Sequence, residues 1–266
     1  MGDRVTGVGD DAPVRYRATV EYDGTDFAGY QLQVGVRTVQ GELEIALAIL
    51  SRGERVVVDG AGRTDAGVHA SGQVIAFTYT GRLIGPELRR ALNALLPADV
   101  AVRDVRRVPI GFHPRYAARY RDYRYTVWNG PRSPLRERQA LGVRAPLDIA
   151  AMASAGSVFL GRHDFSTFGG RDRSPVRTVY AVRVRSEGRL VTIDVRGDSF
   201  LRGQVRRMVA GLLEVGHGTL NTEGLRAALA GREPALNGAA APAKGLCLRR
   251  VVFGRRTPID HGEDQG

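Results

Sequence analysis

The sequence predicts an α+β fold in which two halves each set helices against one side of a mixed sheet. Three observations predict it. Short stretches rich in β-formers are interspersed with longer stretches whose apolar residues recur at helical spacing. Their order is too irregular for alternating parallel β–α units. A proline-bearing excursion near the middle of the 266 residues separates the two groups.

Residues 1–13 are expected to be a disordered tail, and the N-terminal half runs over 14–129. Val14 to Tyr22 reads as a first strand, followed by the polar, glycine-bearing loop DGTDFAGYQLQ. Thr38 is placed to cap a helix reaching Ser51, with Val39, Leu43, Ala46, Leu47 and Leu50 on one stripe. Arg55 to Asp59 reads as a short buried strand and His69 to Thr80 as a longer one, joined by GAGRTDAGV. Pro86 suits a first helical turn and starts a helix through Leu96. Strands follow at Val100 to Val108 and Tyr120 to Trp128.

NGPRSPLRERQALGVRAP, with its three prolines, marks a linker over 130–146. The C-terminal half, 147–254, opens on a helix from Pro146 to Leu160. Val179 to Arg185 and Leu190 to Arg196 alternate around Glu187-Gly188 as a hairpin should. Phe200 to Val215 puts Leu201, Val205, Met208, Val209 and Leu212 on one helical face. A helix from Thr222 to Ala230, a strand from Gly245 to Phe253 and a tail over 255–266 complete the expected order.

Hydrophobic residues make up 43% of the chain, ordinary for a globular protein, and nowhere do eighteen apolar residues run together. The first dozen residues lack the pattern of a signal peptide. A cytoplasmic protein without a membrane partner is expected. The single cysteine, Cys247, excludes an internal disulfide and reads as a small buried side chain in a strand. His69, His113, His163, His217 and His261 are scattered without paired ligand spacing, so no metal is expected.

The net charge is +11, and Lys244 is the only lysine, so arginine carries nearly all of it. Two explanations stand: a GC-rich genome that favours arginine codons, or a polyanionic partner matched to arginine's planar fork. Composition does not choose between RNA, DNA and an acidic membrane.

The stretch GAGRTDAGVHA, from Gly60 to Ala70, surrounds Arg63, Thr64 and Asp65 with Gly60, Ala61, Gly62, Ala66 and Gly67. Glycines free the backbone and clear space above it. A large planar group could lie there, with Asp65 projecting at it. An ordinary turn, with Thr64 and Asp65 bonded to their own backbone, explains the same residues. The lysine of a phosphate-binding loop is absent.

This eleven-residue run resembles the catalytic motif of the tRNA pseudouridine synthase A family. EYDGTDFAGYQLQ, RTVQGELEIAL, FHPRYAARYRDYRYTVWN, GRHDFSTF and FLRGQVRRMVAGLLEVGHG also resemble that family's blocks, in its order, from about Tyr16 to Phe253. The resemblance implies the pseudouridine synthase fold, a central mixed sheet with two similar halves around a basic cleft. It implies isomerisation of uridine to pseudouridine at positions 38, 39 and 40 of the tRNA anticodon stem-loop, with no cofactor, by a homodimer in which one tRNA meets both subunits.

By the same resemblance Asp65 matches the attacking aspartate. A carboxylate in a water-excluding cleft requires a cationic partner, and Arg206 matches the family arginine that supplies it. Tyr123 matches an active-site tyrosine that stacks on the base. Arg63 matches an arginine that helps hold the target nucleotide out of its stack. Leu246 matches an apolar position against the uracil. Arg115, Arg119, Arg121, Arg171 and Arg202 are candidates for the RNA backbone, since folded RNA is read through phosphates and 2′-hydroxyls.

The chain departs from the family pattern at Arg202, Gly203 and Gln204, which make the expected helix less apolar, and at Tyr30, where an RNA-facing tryptophan is common. Two further readings are weighed: a catalytically silent tRNA-folding chaperone of the same fold, and a relative forming a free C-nucleoside from a small molecule. Asp65, Tyr123 and Arg206 together speak against the first, and the arginine excess against the second. A nucleic-acid-binding domain of unrelated fold explains only the charge.

Overall fold

The computed structural model describes residues 12–170, 172–231 and 240–254. The two expected tails fall almost entirely outside them. The elements run β1 (Val14–Tyr22), α1 (Val39–Leu50), β2 (Asp59–Gly60), β3 (His69–Tyr79), α2 (Gly85–Leu95), β4 (Val100–Arg107), α3 (Pro114–Ala117) and β5 (Ala118–Asn129). Then come β6 (Leu141–Val143), α4 (Ile149–Ala155), β7 (Gly161–Asp164), β8 (Val176–Glu187), β9 (Leu190–Gly197), α5 (Gln204–Gly216), α6 (Thr222–Leu229) and β10 (Leu246–Phe253). The architecture is α+β, as the sequence predicts.

The described strands form one mixed sheet in the order β4-β1-β3-β10-β5-β9-β8-β7, with β2 added to β3 and β6 to β5. The last strand, from the C-terminal half, therefore lies between β3 and β5, two strands of the N-terminal half. It pairs with β3 in parallel through Cys247 with His69 and Leu248 with Ala70. On its other side it runs antiparallel to β5, placing Leu246 opposite Tyr125 and Leu248 opposite Tyr123. The segment 130–146 is also tied to the sheet. β6 lies parallel to β5, and Asn129 donates to the Val143 and Ala145 carbonyls.

Side-chain chemistry explains the elements. Thr38 caps α1 by accepting from Gly41 N–H, and Val39, Leu43, Ala46 and Leu47 are buried beneath it. On the same side of the sheet, Tyr16 of β1 stacks on Phe77 of β3 with ring centroids 5.9 Å apart. In the second half, Phe159 packs against Phe165 and Phe168, and Met208, Val209 and Leu212 of α5 are buried.

Several expected boundaries move. Of the strand expected over Arg55 to Asp59, only Asp59 joins a ladder, with Gly60. Val56 and Val58 are buried and Val57 exposed, so burial alternates without strand pairing. The helix expected from Pro146 starts at Ile149 because Asp148 caps it through Ala151 N–H at 2.8 Å, and it ends in a 3-10 turn over Gly156–Phe159. The β8–β9 hairpin turns on Gly188 and Arg189, with Gly188 at φ +57°. Cys247 is half-buried rather than fully buried.

The helix expected from Phe200 begins only at Gln204. Gly203, at φ +72°, is its cap, in a left-handed conformation that favours glycine. Arg202 and Gly203 therefore precede the helix and do not dilute its apolar face. Gln204 is fully buried, with its amide oxygen accepting from Leu201 N–H at 2.8 Å. Tyr30 also corrects its expectation. At 2% exposure it faces no RNA, and its ring fills the space above Gly60.

Candidate active site

The loop from Ala61 to Val68 connects β2 to β3 and is fixed at both ends. Ala61 N–H donates to Val74 O at 2.8 Å, and Gln73 Nε2 donates to Gly62 O at 2.8 Å. Midway, Tyr30 N–H donates to Thr64 O, and the Thr64 hydroxyl pairs with the buried Tyr22 hydroxyl at 2.8 Å. The β1–α1 loop passes so close that a Cβ on Gly24 would lie 2.0 Å from Val68 O. Close approach, more than turn conformation, is what glycine supplies at Gly24. Gly60 lies under Tyr30, so the glycine with open space above it is Gly62.

His69 holds the far end of the loop. Its Nδ1 accepts from Gly24 N–H at 3.0 Å, and Nε2 lies 2.8 Å from Arg138 O and 3.1 Å from Lys244 O. Asp23 Oδ1 also lies 3.1 Å from Nδ1. The imidazole is a structural link among four segments.

Asp65 stands out of this loop with its side chain about one-quarter exposed. Arg206 Nη1 lies 3.3 Å from Oδ2, and Arg202 Nε lies 3.8 Å from Oδ1. The two cations differ in setting. Arg202 is 90% exposed, whereas Arg206 is 21% exposed. Arg206 Nε also donates to Ala241 O at 2.6 Å, and Ala241 N–H donates back to Arg206 O at 3.1 Å. The partly buried pair is the stronger contact, because exposed ion pairs contribute little after screening and side-chain entropy. A cavity of about 460 Å³ adjoins the carboxylate, its lining made of Asp65, Arg202, Arg206 and Arg207 together with the small residues Ala66, Gly170, Gly203 and Ala240.

Tyr123, on β5, is only 9% exposed. The ring of Phe200 meets it edge-on, with centroids 5.4 Å apart. Burial pushes the Tyr123 hydroxyl up to about 12, with the Arg121 charge opposing and the Asp65 charge reinforcing. Leu246, also buried, opens β10 opposite Tyr125. Neither Tyr123 nor Leu246 lines the cavity.

Arg63 is exposed on the loop that carries Asp65, Arg115 is exposed on α3, and Arg119 is half-buried at the start of β5. Arg121 is turned inward and bonded to backbone carbonyls, unlike the surface role expected of it. Arg171 lies outside the described residues. Sequence reasoning passed over Phe200, although it opens one of the quoted blocks, and over the Tyr22–Thr64 pair. Among the described residues no cluster of His, Cys, Asp and Glu is suited to a metal. No helix among them is long and apolar enough to cross a membrane.

A family profile described as tRNA pseudouridine synthase matches residues 18–117 and 155–254. A protein named tRNA pseudouridine synthase A from Geotalea uraniireducens is 42% identical over 241 residues, covering 88% of this chain and 97% of its own length. One of the same name from Thermotoga neapolitana is 42% identical over 244 residues, covering 90% and 99%. The profile and these relatives define an isomerase of the pseudouridine synthase class. The chain belongs to the tRNA pseudouridine synthase family, whose reaction converts uridine to pseudouridine. Asp65, Arg206 and Leu246 fall in the matched segments, and Tyr123 falls between them.

Proposed function

We propose that the protein converts uridines 38, 39 and 40 of the tRNA anticodon stem-loop to pseudouridine, with Asp65 as nucleophile and without a cofactor. The observation that carries this reading is the 3.3 Å contact between Asp65 and the partly buried Arg206 in the lining of an arginine-rich cavity. The reaction breaks N1–C1′ and forms C5–C1′. C5 loses a proton and N1 gains one. Nothing is oxidised and no outside energy is needed, so one carboxylate suffices. Three routes fit it: attack at C1′, addition to C6 of the base, or proton abstraction toward a glycal intermediate.

Arg206 holds the carboxylate at the cavity. Tyr123, held as a neutral phenol by burial, and Leu246 are the groups that the family resemblance sets against the base, and because both lie outside the cavity lining the base reaches them only by entering beyond it. After the new bond forms, Asp65 is the group positioned to take the C5 proton. A stem uridine must leave its stack to reach this site, and Arg63 on the exposed side of the loop helps hold it there. Arg115, Arg119 and Arg202 meet the RNA backbone. The protein acts as a homodimer in which one tRNA contacts both subunits.

The test is tritium release from uracil C5 in a tRNA transcript carrying uridines at the three positions, with wild type and Asp65→Ala. Wild-type release that the substitution abolishes is expected. A silent wild type that still binds tRNA would instead favour a folding chaperone, and activity on free uracil compounds alone would favour the small-molecule relative.

A further inference from the structure

Arg121 is a buried cation, 8% exposed, whose hydrogen bonds go to main-chain carbonyls. Its Nη2 donates to Ala61 O at 2.7 Å and to Arg115 O at 2.9 Å, and its Nη1 donates to Asp198 O at 2.6 Å. No carboxylate forms an ion pair with it among the described residues. A guanidinium stays protonated in such a setting and presents its donors as a planar fork. These are charge-assisted bonds, the stronger kind, aimed at groups that side-chain substitution cannot move.

The three carbonyls lie at separate places in the site. Ala61 is in the stem of the loop that carries Asp65. Asp198 opens the turn that brings Phe200 against Tyr123 and leads through Gly203 into the helix of Arg206. Arg115 belongs to α3, beside the exposed Tyr116. Arg121 itself precedes Tyr123 on the buried face of β5.

We infer that Arg121 is a positioning residue that fixes Asp65, Tyr123 and the Arg206 turn in one frame. This inference rests on the assignment of Asp65 as the reacting carboxylate. No neutral side chain of similar length can bond three carbonyls in one plane, and lysine carries the charge without the fork. Removing the fork lets the loop stem and the 198–203 turn drift relative to β5. A displacement of about 1 Å at a reacting group can cost about 100-fold in rate. The Arg121 guanidinium is not presented to the RNA, so it supplies no phosphate contact of its own.

The experiment compares wild type, Asp65→Ala, Arg121→Gln and Arg121→Lys by tritium release, by tRNA affinity across a salt series and by thermal melting. Arg121→Gln is expected to lower kcat about 100-fold, with Arg121→Lys recovering about tenfold of that loss. The salt dependence of tRNA affinity should match wild type in both, with any loss of affinity far smaller than the loss of kcat. A kcat within about threefold of wild type in both variants overturns the inference. So does a salt slope reduced by about one unit, which would mean that the guanidinium reaches a phosphate. If Arg121→Gln melts below the assay temperature, Arg121→Lys decides alone, and a wild-type kcat overturns the inference. A wild type that releases no tritium defeats the functional reading and this one with it. An active wild type with unaffected Arg121 variants defeats only this one.

Discussion

Arg206 grips Asp65 with one nitrogen and Ala241 with another: Nη1 lies 3.3 Å from the carboxylate and Nε 2.6 Å from the carbonyl. The carbonyl contact fixes the guanidinium, so the side chain's freedom is lost before the carboxylate is engaged. Arg207, its neighbour on α5, bonds the Arg202 carbonyl instead.

Arg206→Ala should therefore lower kcat by about 100-fold or more, the scale on which a preorganised charge at a reacting group acts. Arg207→Ala should change kcat by less than about tenfold, leaving the Asp65 contact in place. Equal losses in single-turnover assays would refute the pairing.

Tyrosine burial sets an alkaline limit on stability. The Tyr123 hydroxyl is raised by desolvation from its ordinary 10.0 to about 12, and burial raises Tyr22 and Tyr125 in the same direction. Between those values the unfolded chain releases protons that the folded chain retains. Stability is then fully present below about pH 10 and falls above it, by up to about 1.4 kcal/mol per pH unit for each such group. Urea midpoints measured from pH 8 to pH 11 should fall at the alkaline end, and Tyr123→Phe should make the fall shallower.

Two glycines of the site should respond in opposite ways. A Cβ at Gly24 would meet Val68 O at 2.0 Å, whereas one at Gly62 would meet nothing within 4 Å. Gly24→Ala should cost about 1–3 kcal/mol of stability by forcing two backbones apart. Gly62→Ala should leave the urea midpoint unchanged. A tolerated Gly24→Ala would contradict the close packing of the β1–α1 loop on the catalytic loop.

Binding should be separable from chemistry. Asp65→Ala should bind tRNA at least as tightly as wild type, with affinity falling steeply as salt rises. Arg202→Ala, which removes a 90% exposed cation, should reduce the slope of log K against log salt by about one unit. Salt-independent binding by Asp65→Ala would contradict a phosphate-contacting surface.

Most elements were legible because their signals are local. Thr38 and Pro86 mark helix starts, Glu187-Gly188 marks a hairpin, and apolar spacing marks the buried faces. The position of β10 was not legible, since its pairing with β3 rests on two residue pairs distant in sequence. Asp65 and Arg206, separated by 141 positions, were joined only by resemblance to known blocks. Arg121 had a readable signal that was missed: it shares the parity of Tyr123, Tyr125 and Val127, so strand alternation alone turns it inward. Tyr30 was misplaced because a polar loop conceals which of its members fold back beneath it. The late start of α5 follows from Gly203, whose left-handed conformation sequence spacing does not reveal.

The position of β10 also governs when the protein becomes able to act. A chain emerging from the ribosome can form β1, β3 and β5 early, yet β3 and β5 acquire their shared neighbour only when the final strand has been made. The Ala241 carbonyl that steadies Arg206 arrives in the same late stretch. A sheet closed by such distant pairings must meet a large loop-entropy cost before it gains stabilising contacts, and it folds slowly for that reason. The chain must therefore be made through β10 before the carboxylate and its cation can be locked together, and a nascent chain bearing Asp65 alone does not yet hold that pair.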